Sequence, residues 1–187
     1  MGNEVAELYR RGIDSFGARV HAVGDDQWHL PTPCSEWDVR ALVNHLVYEM
    51  RWAKPLFEGS TIEEVGDRFE GDLLGDDPKG AWDDAAKAAA AAVPADMDRL
   101  VHLSFGDVPG SEYAMQLHAD LLVHGWDLAR AIGGDERLDP EAVMACSAWF
   151  REREEAYRMG GAIAPRPELP AGADAQTELL ASFGRRA

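Results

Sequence analysis

The chain has 187 residues and a formal net charge of −16, with 34 acidic side chains against 18 basic ones. Apolar residues make up 46% and charged residues 28%, the composition of a folded globular domain and not of a disordered chain. The acidic balance speaks against a nucleic-acid partner, whose phosphates need a basic footprint, and equally against an anionic membrane surface.

In chain order, residues 3–23 place Val5, Leu8, Tyr9, Ile13, Phe16 and Val20 at helical spacing and predict a first helix. Residues 24–37 break the period, because Pro31 and Pro33 lack amide donors and hold their predecessors extended. Ser35 or Asp38 can cap a second helix running through VRALVNHLVYEMRWAKPLFEG, closed by Pro55 and Gly59. His45 lies in the middle of that helix. A lone histidine on an inward face is more often a satisfied core residue than a ligand. Glu49, one turn further on, is a spare ligand or a general base in waiting.

Residues 60–80 are polar and acidic, with a short helical turn expected over 61–65 and then a surface loop. A third, alanine-rich helix is predicted over 81–93 and ended by Pro94. Residues 99–105 form the one strand-like run, and no sheet is expected from it. Gly106-Asp107 and Pro109-Gly110 read as turns, and Ser111 as the cap of the next helix.

That helix organises the chain. Residues 115–134, MQLHADLLVHGWDLARAIGG, put Asp120 and His124 four apart, so a carboxylate and an imidazole lie on one face and can address a common atom. A polar, ligand-competent pair on a helix that must also pack a core predicts a metal site. Side chains from facing helices build such sites in bundles, which brings His45 in beside the pair. Gln116 and Asp127 are placed to hydrogen-bond to the ligands. His118, about 200° around the helix from Asp120, should face elsewhere. His21, His29 and His102 lack matching partners and read as surface residues. Trp37 and Trp126 read as core, and Cys34, with nothing in sequence to activate it, as structural.

After Gly134, Asp139-Pro140 starts a helix expected to run from Glu141 to about Arg158, and a last short helix is predicted over 175–182. No run approaches the roughly 18 apolar residues of a membrane span, and the N-terminus has no apolar signal region. Two distant cysteines without a CxxC pattern fit a reduced, cytoplasmic setting. One all-α domain over residues 1–187 is expected, a four-helix bundle with long connections and at most one short strand-like segment.

Two stretches, TPCSEWDVRALVNHL at 32–46 and LHADLLVHGWDLARAIG at 117–133, resemble the signature segments of the DinB-like superfamily. The branch they resemble is the metal-binding domain of mycothiol-dependent maleylpyruvate isomerases. The tail, PELPAGADAQTELLASFGRR, is similar to that of small actinobacterial single-domain relatives. The resemblance implies an up-and-down four-helix bundle carrying a divalent metal, zinc or nickel foremost, with iron and manganese also open. The implied ligands fall on His45, Asp120 and His124. It further implies a low-molecular-weight thiol such as mycothiol as cofactor, a small electrophilic substrate, and a homodimer as one arrangement of the chain. Two features depart from the isomerase pattern: aspartate stands at 120 where it has glutamate, and 187 residues leave no room for the isomerase's additional C-terminal domain.

Two functional readings follow from different classes. One is a metal-dependent thiol transferase or isomerase acting on a small electrophile. The other is a non-catalytic metal- or small-ligand-binding domain with a regulatory or stress role. A bundle whose three polar residues merely hydrogen-bond to one another is the plainest reading.

Overall fold

The computed structural model describes residues 2–35 and 37–187. They form an all-α fold with one small hairpin. By chain order the elements are α1 (Gly2–Ala22), α2 (Val39–Phe57), α3 (Ile62–Val65), α4 (Pro78–Ala92), β1 (Leu100–Leu103), β2 (Gly106–Pro109), α5 (Gly110–Ile132), α6 (Pro140–Phe150), α7 (Glu154–Met159) and α8 (Ala175–Ser182). None of the described helices is long and apolar enough to cross a membrane. The described residues group into two compact units, one reaching to Asp135 and the other spanning Glu136–Ala187.

In the first unit α1 packs against α4 and α5, and α2 packs against the same two, so α1 and α2 lie on opposite sides of a four-helix bundle. Tyr9, Phe16, Leu42, Leu46, Met50, Phe57 and Leu121 fill the shared core. Close approach depends on two glycines of α1. A Cβ on Gly12 would come within 3.0 Å of His118 Nδ1 on α5, and one on Gly17 within 2.8 Å of Trp82 Nε1 on α4. His118 is therefore buried towards α1, on the far side of α5 from the Asp120 face, as its helical phase requires.

Asp38, not Ser35, caps α2, its side chain accepting from the Ala41 amide at 2.8 Å. The connection before it is a tight knot. Thr32 N donates to Trp37 O, Trp37 N to Cys34 O, and the amides of Val39 and Arg40 donate back to Leu30 O and Trp28 O. These bonds fix the position of Trp37 immediately before the helix.

The structure corrects the sequence reading in three places. The strand-like run pairs after all: β1 and β2 form an antiparallel hairpin with Leu100 opposite Pro109 and Leu103 opposite Gly106. Gly106, at φ 134°, takes a conformation that admits the reversal, so the residues expected to be turns are strand and helix start. Ser111 does not cap α5. The first amides of that helix are satisfied instead by strand-side carbonyls, Gly110 N on Arg99 O at 2.8 Å and Ser111 N on Met97 O at 2.9 Å. In the second unit, the helix expected from 141 to 158 is interrupted after Phe150. The Arg153 guanidinium takes the Trp149 carbonyl at 2.6 Å, and the Arg153 amide bonds Phe150 O one residue short of the α-helical partner. Phe150 and Phe183 stack at 3.8 Å between centroids in that unit, and α8 matches the predicted bounds.

Candidate metal centre

α2 and α5 pack against each other, and each presents a polar pair at a spacing of four: His45 and Glu49 from α2, Asp120 and His124 from α5. His45 Nε2 lies 3.3 Å from Asp120 Oδ2, and His124 Nε2 lies 4.0 Å from Asp120 Oδ1. One ligand-competent atom from each of His45, Asp120 and His124 falls within 4.8 Å of the others. Ligands about 2.0–2.2 Å from one metal sit about 3–3.5 Å apart. Small side-chain rotations would therefore let this trio reach a common ion, and the donor set fits one. Two imidazoles and a carboxylate suit zinc, nickel or ferrous iron, and three protein ligands leave coordination positions free.

The imidazole of His124 is held from behind. Its Nδ1 lies 3.0 Å from Asp127 Oδ2, and Asp127 is fully buried. An ionised Asp127 could only accept here, which would place the hydrogen on Nδ1 and leave the Nε2 lone pair on the side of Asp120. Trp37 forms a wall, with its ring 4.7 Å from that of His45 and 5.4 Å from that of His124. The two imidazoles meet edge to face at 5.3 Å. On the open side the Asp120 side chain keeps 40% of its exposure and His45 25%, which leaves a small molecule a way in.

Electrostatics tie Glu49 to the trio. Burial and the charge of Asp120 push its carboxyl up to about 7, against the opposing pull of His45. For His45, burial alone would lower the pKa. The hydrogen bond and charge of Asp120, helped by Glu49, outweigh burial and hold it above the ordinary histidine value. Tyr113, two turns before Asp120, is buried with a hydroxyl that has no hydrogen-bond partner among the described residues. Burial raises its pKa well above the usual tyrosine range, with Glu49 adding to the effect.

Of the residues singled out in the sequence, His45, Asp120 and His124 come together, with Asp127 behind them and Glu49 beside them. Gln116 is half-buried on α5 and makes no hydrogen bond to a described residue. The surface histidines do have partners: His21 on Asp83 at 2.9 Å, His29 on Asp38 at 3.3 Å and His102 on Asp107 at 2.7 Å. Sequence reasoning missed Trp37 as the wall and Tyr113 as a buried polar neighbour. The seven-residue spacing of Tyr113 from Asp120 was a usable signal, whereas the position of Trp37 depends on the knotted connection.

Comparison with known proteins places this geometry in context. A sequence model of the family described as mycothiol maleylpyruvate isomerase N-terminal domain matches residues 9–129, a span that includes all three trio residues. Two relatives in Mycobacterium tuberculosis, the uncharacterized proteins Rv0738 of strain ATCC 25618 / H37Rv and MT0763 of strain CDC 1551 / Oshkosh, are each 35% identical over 147 residues. Those residues cover 73% of this chain and 71% of each relative. A crystal structure of a mutant of the mycothiol-dependent maleylpyruvate isomerase superposes with a TM-score of 0.61 at 16% identity, over 79% of this chain and 68% of that one. At that identity the likeness is one of fold.

Proposed function

The chain belongs to the mycothiol maleylpyruvate isomerase N-terminal domain family, and on that premise we propose that it is a metal-dependent enzyme using a low-molecular-weight thiol of the mycothiol type on a small electrophile. One observation carries the reading: two histidines and an aspartate from facing helices converge within 4.8 Å, with one side open to solvent. His45, Asp120 and His124 would hold a divalent metal, and Asp127 keeps the His124 Nε2 lone pair aimed at it. A bound divalent metal supplies Lewis acidity that lowers the pKa of a thiol and favours the nucleophilic thiolate at neutral pH.

The chain's own groups supply the rest. Glu49, with its carboxyl near neutrality, accepts the proton the thiol releases on its Oε atoms. Trp37 closes the histidine side and excludes water from the imidazole faces. Aspartate at 120 would hold the metal through a side chain one methylene shorter than glutamate.

The test is to load untagged protein with zinc or nickel and mix it with mycothiol and a panel of small electrophiles, maleylpyruvate among them. Thiol consumption and product are then followed. Turnover that disappears in His124→Ala supports the reading. Stoichiometric metal with no thiol chemistry on any electrophile in the panel would favour the non-catalytic binding domain instead.

A further inference from the structure

Away from the metal centre, the outer groove between α2 and α4 is built in a way the bundle does not need. The alanine face of α4 is too small to fill the space beside the last turns of α2. This leaves an open groove of about 370 Å³ whose apolar lining is Pro55, Phe69, Ala85 and Ala88. That volume falls in the range of small-molecule pockets.

Three of the chain's few cations converge on its walls. Lys54 is paired with Glu58 one turn along α2. Arg68 is pinned by its Nε to the Val65 carbonyl at 2.9 Å and lies over the Phe69 ring at 5.8 Å, with no carboxylate partner among the described residues. Arg51 is half-buried and forms no hydrogen bond or ion pair with any described residue. In a chain with 34 acidic side chains a carboxylate for it would be easy to supply. A half-buried guanidinium without a paired carboxylate keeps its donor fork open to one that a ligand brings. Asp84 reaches the same groove, but it is exposed and makes no ion pair with Arg51.

We infer that this groove is a second binding site, for a small organic anion with a flat apolar body. Its carboxylate would pair with the Arg51 guanidinium, with Arg68 beside it, and its body would lie on the floor of Pro55, Ala85 and Ala88 against Phe69. The inference stands apart from the metal trio and does not depend on any reaction there.

The probe is 2-naphthoate, titrated into the full chain by calorimetry and by NMR, with the neutral 2-naphthamide as control. Naphthoate should bind saturably with a Kd below about 1 mM, and naphthamide at least roughly tenfold more weakly, as the loss of a charged hydrogen-bond partner implies. Arg51→Gln should weaken naphthoate by a similar factor, and Ala88→Trp, which fills the floor, should abolish binding. Removing metal with a chelator should leave the affinity unchanged. The inference is overturned if naphthoate and naphthamide bind alike, or if neither variant changes the affinity. It also fails if no binding is detected at millimolar ligand, or if binding disappears on chelation or in His124→Ala.

Discussion

Replacing Asp127 with asparagine removes the negative charge behind His124 while keeping the shape of the side chain. In the structure that carboxylate is fully buried and sits 3.0 Å from Nδ1 of His124, a residue that is itself 7% exposed. Outer carboxylates of this kind are worth about 10–100-fold in metal affinity, or ~1.4–2.7 kcal/mol. Asparagine can still accept from Nδ1 through its carbonyl oxygen, so Asp127→Asn should fall near the lower end, about tenfold. Asp127→Ala loses both charge and acceptor and should approach ~100-fold. Competition against a chromophoric chelator gives the zinc dissociation constants directly. A fluorescence unfolding curve on each metal-free variant separates loss of affinity from loss of fold. Wild-type affinity in both variants would refute the role given to Asp127. So would an Asp127→Asn protein as metal-free as His124→Ala, because the reasoning requires a graded loss.

Trp37→Ala strips the wall from both imidazoles. It should cost about 1–3 kcal/mol of stability in chemical denaturation of the metal-free protein, together with faster metal loss to chelator. Wild-type behaviour in both measurements would remove Trp37 from the site. In the metal-free protein the folded-state pKa values of His45 and Glu49 both lie above their ordinary values. A raised pKa means the fold holds that proton more tightly. The contribution is therefore complete below the unfolded pKa and lost as pH rises through the folded one. For Glu49 the window runs from 4.5 to about 7, and for His45 it continues upward from 6.5. Stability of the chelated protein should thus fall from pH 5 to pH 8, by on the order of 2 kcal/mol, and Glu49→Gln should flatten the lower part of that fall. A rise over the same range would contradict the electrostatics described. Gly17→Ala pushes a Cβ to within 2.8 Å of Trp82 Nε1 and should destabilise by about 1–3 kcal/mol, seen as a melting temperature several degrees lower; an unchanged melting temperature would show that α1 and α4 separate freely.

Much of this molecule could be read from its residues because the signals are local. The apolar spacing of α1, α2 and α5 reports a buried helical stripe. The Asp38 and Asp139 caps sit where a carboxylate meets free amides, and the spacing of Asp120 and His124 fixes a shared face whatever surrounds it. What escaped the reading is non-local. The start of α5 is capped by carbonyls of residues 97 and 99, which only the β1–β2 hairpin brings there. At the break between α6 and α7 an arginine side chain takes the backbone carbonyl that a continued helix would use. Trp37 becomes part of the site through the hydrogen bonds around Thr32 and Cys34 that tie down its connection. Helical phase alone turned His118 away from the trio, and the structure buries it against Gly12 as that phase required.

The central claim is that His45, Asp120 and His124 hold a divalent metal. The direct test is elemental mass spectrometry on protein purified without a histidine tag, for wild type and for His45→Ala, Asp120→Ala and His124→Ala. The account predicts close to one zinc or nickel per chain in the wild type and marked loss in each of the three variants, with folding retained. Wild-type protein that stays metal-free after supplementation, or variants that keep their metal, would contradict it and leave the trio as a hydrogen-bonded feature of the bundle.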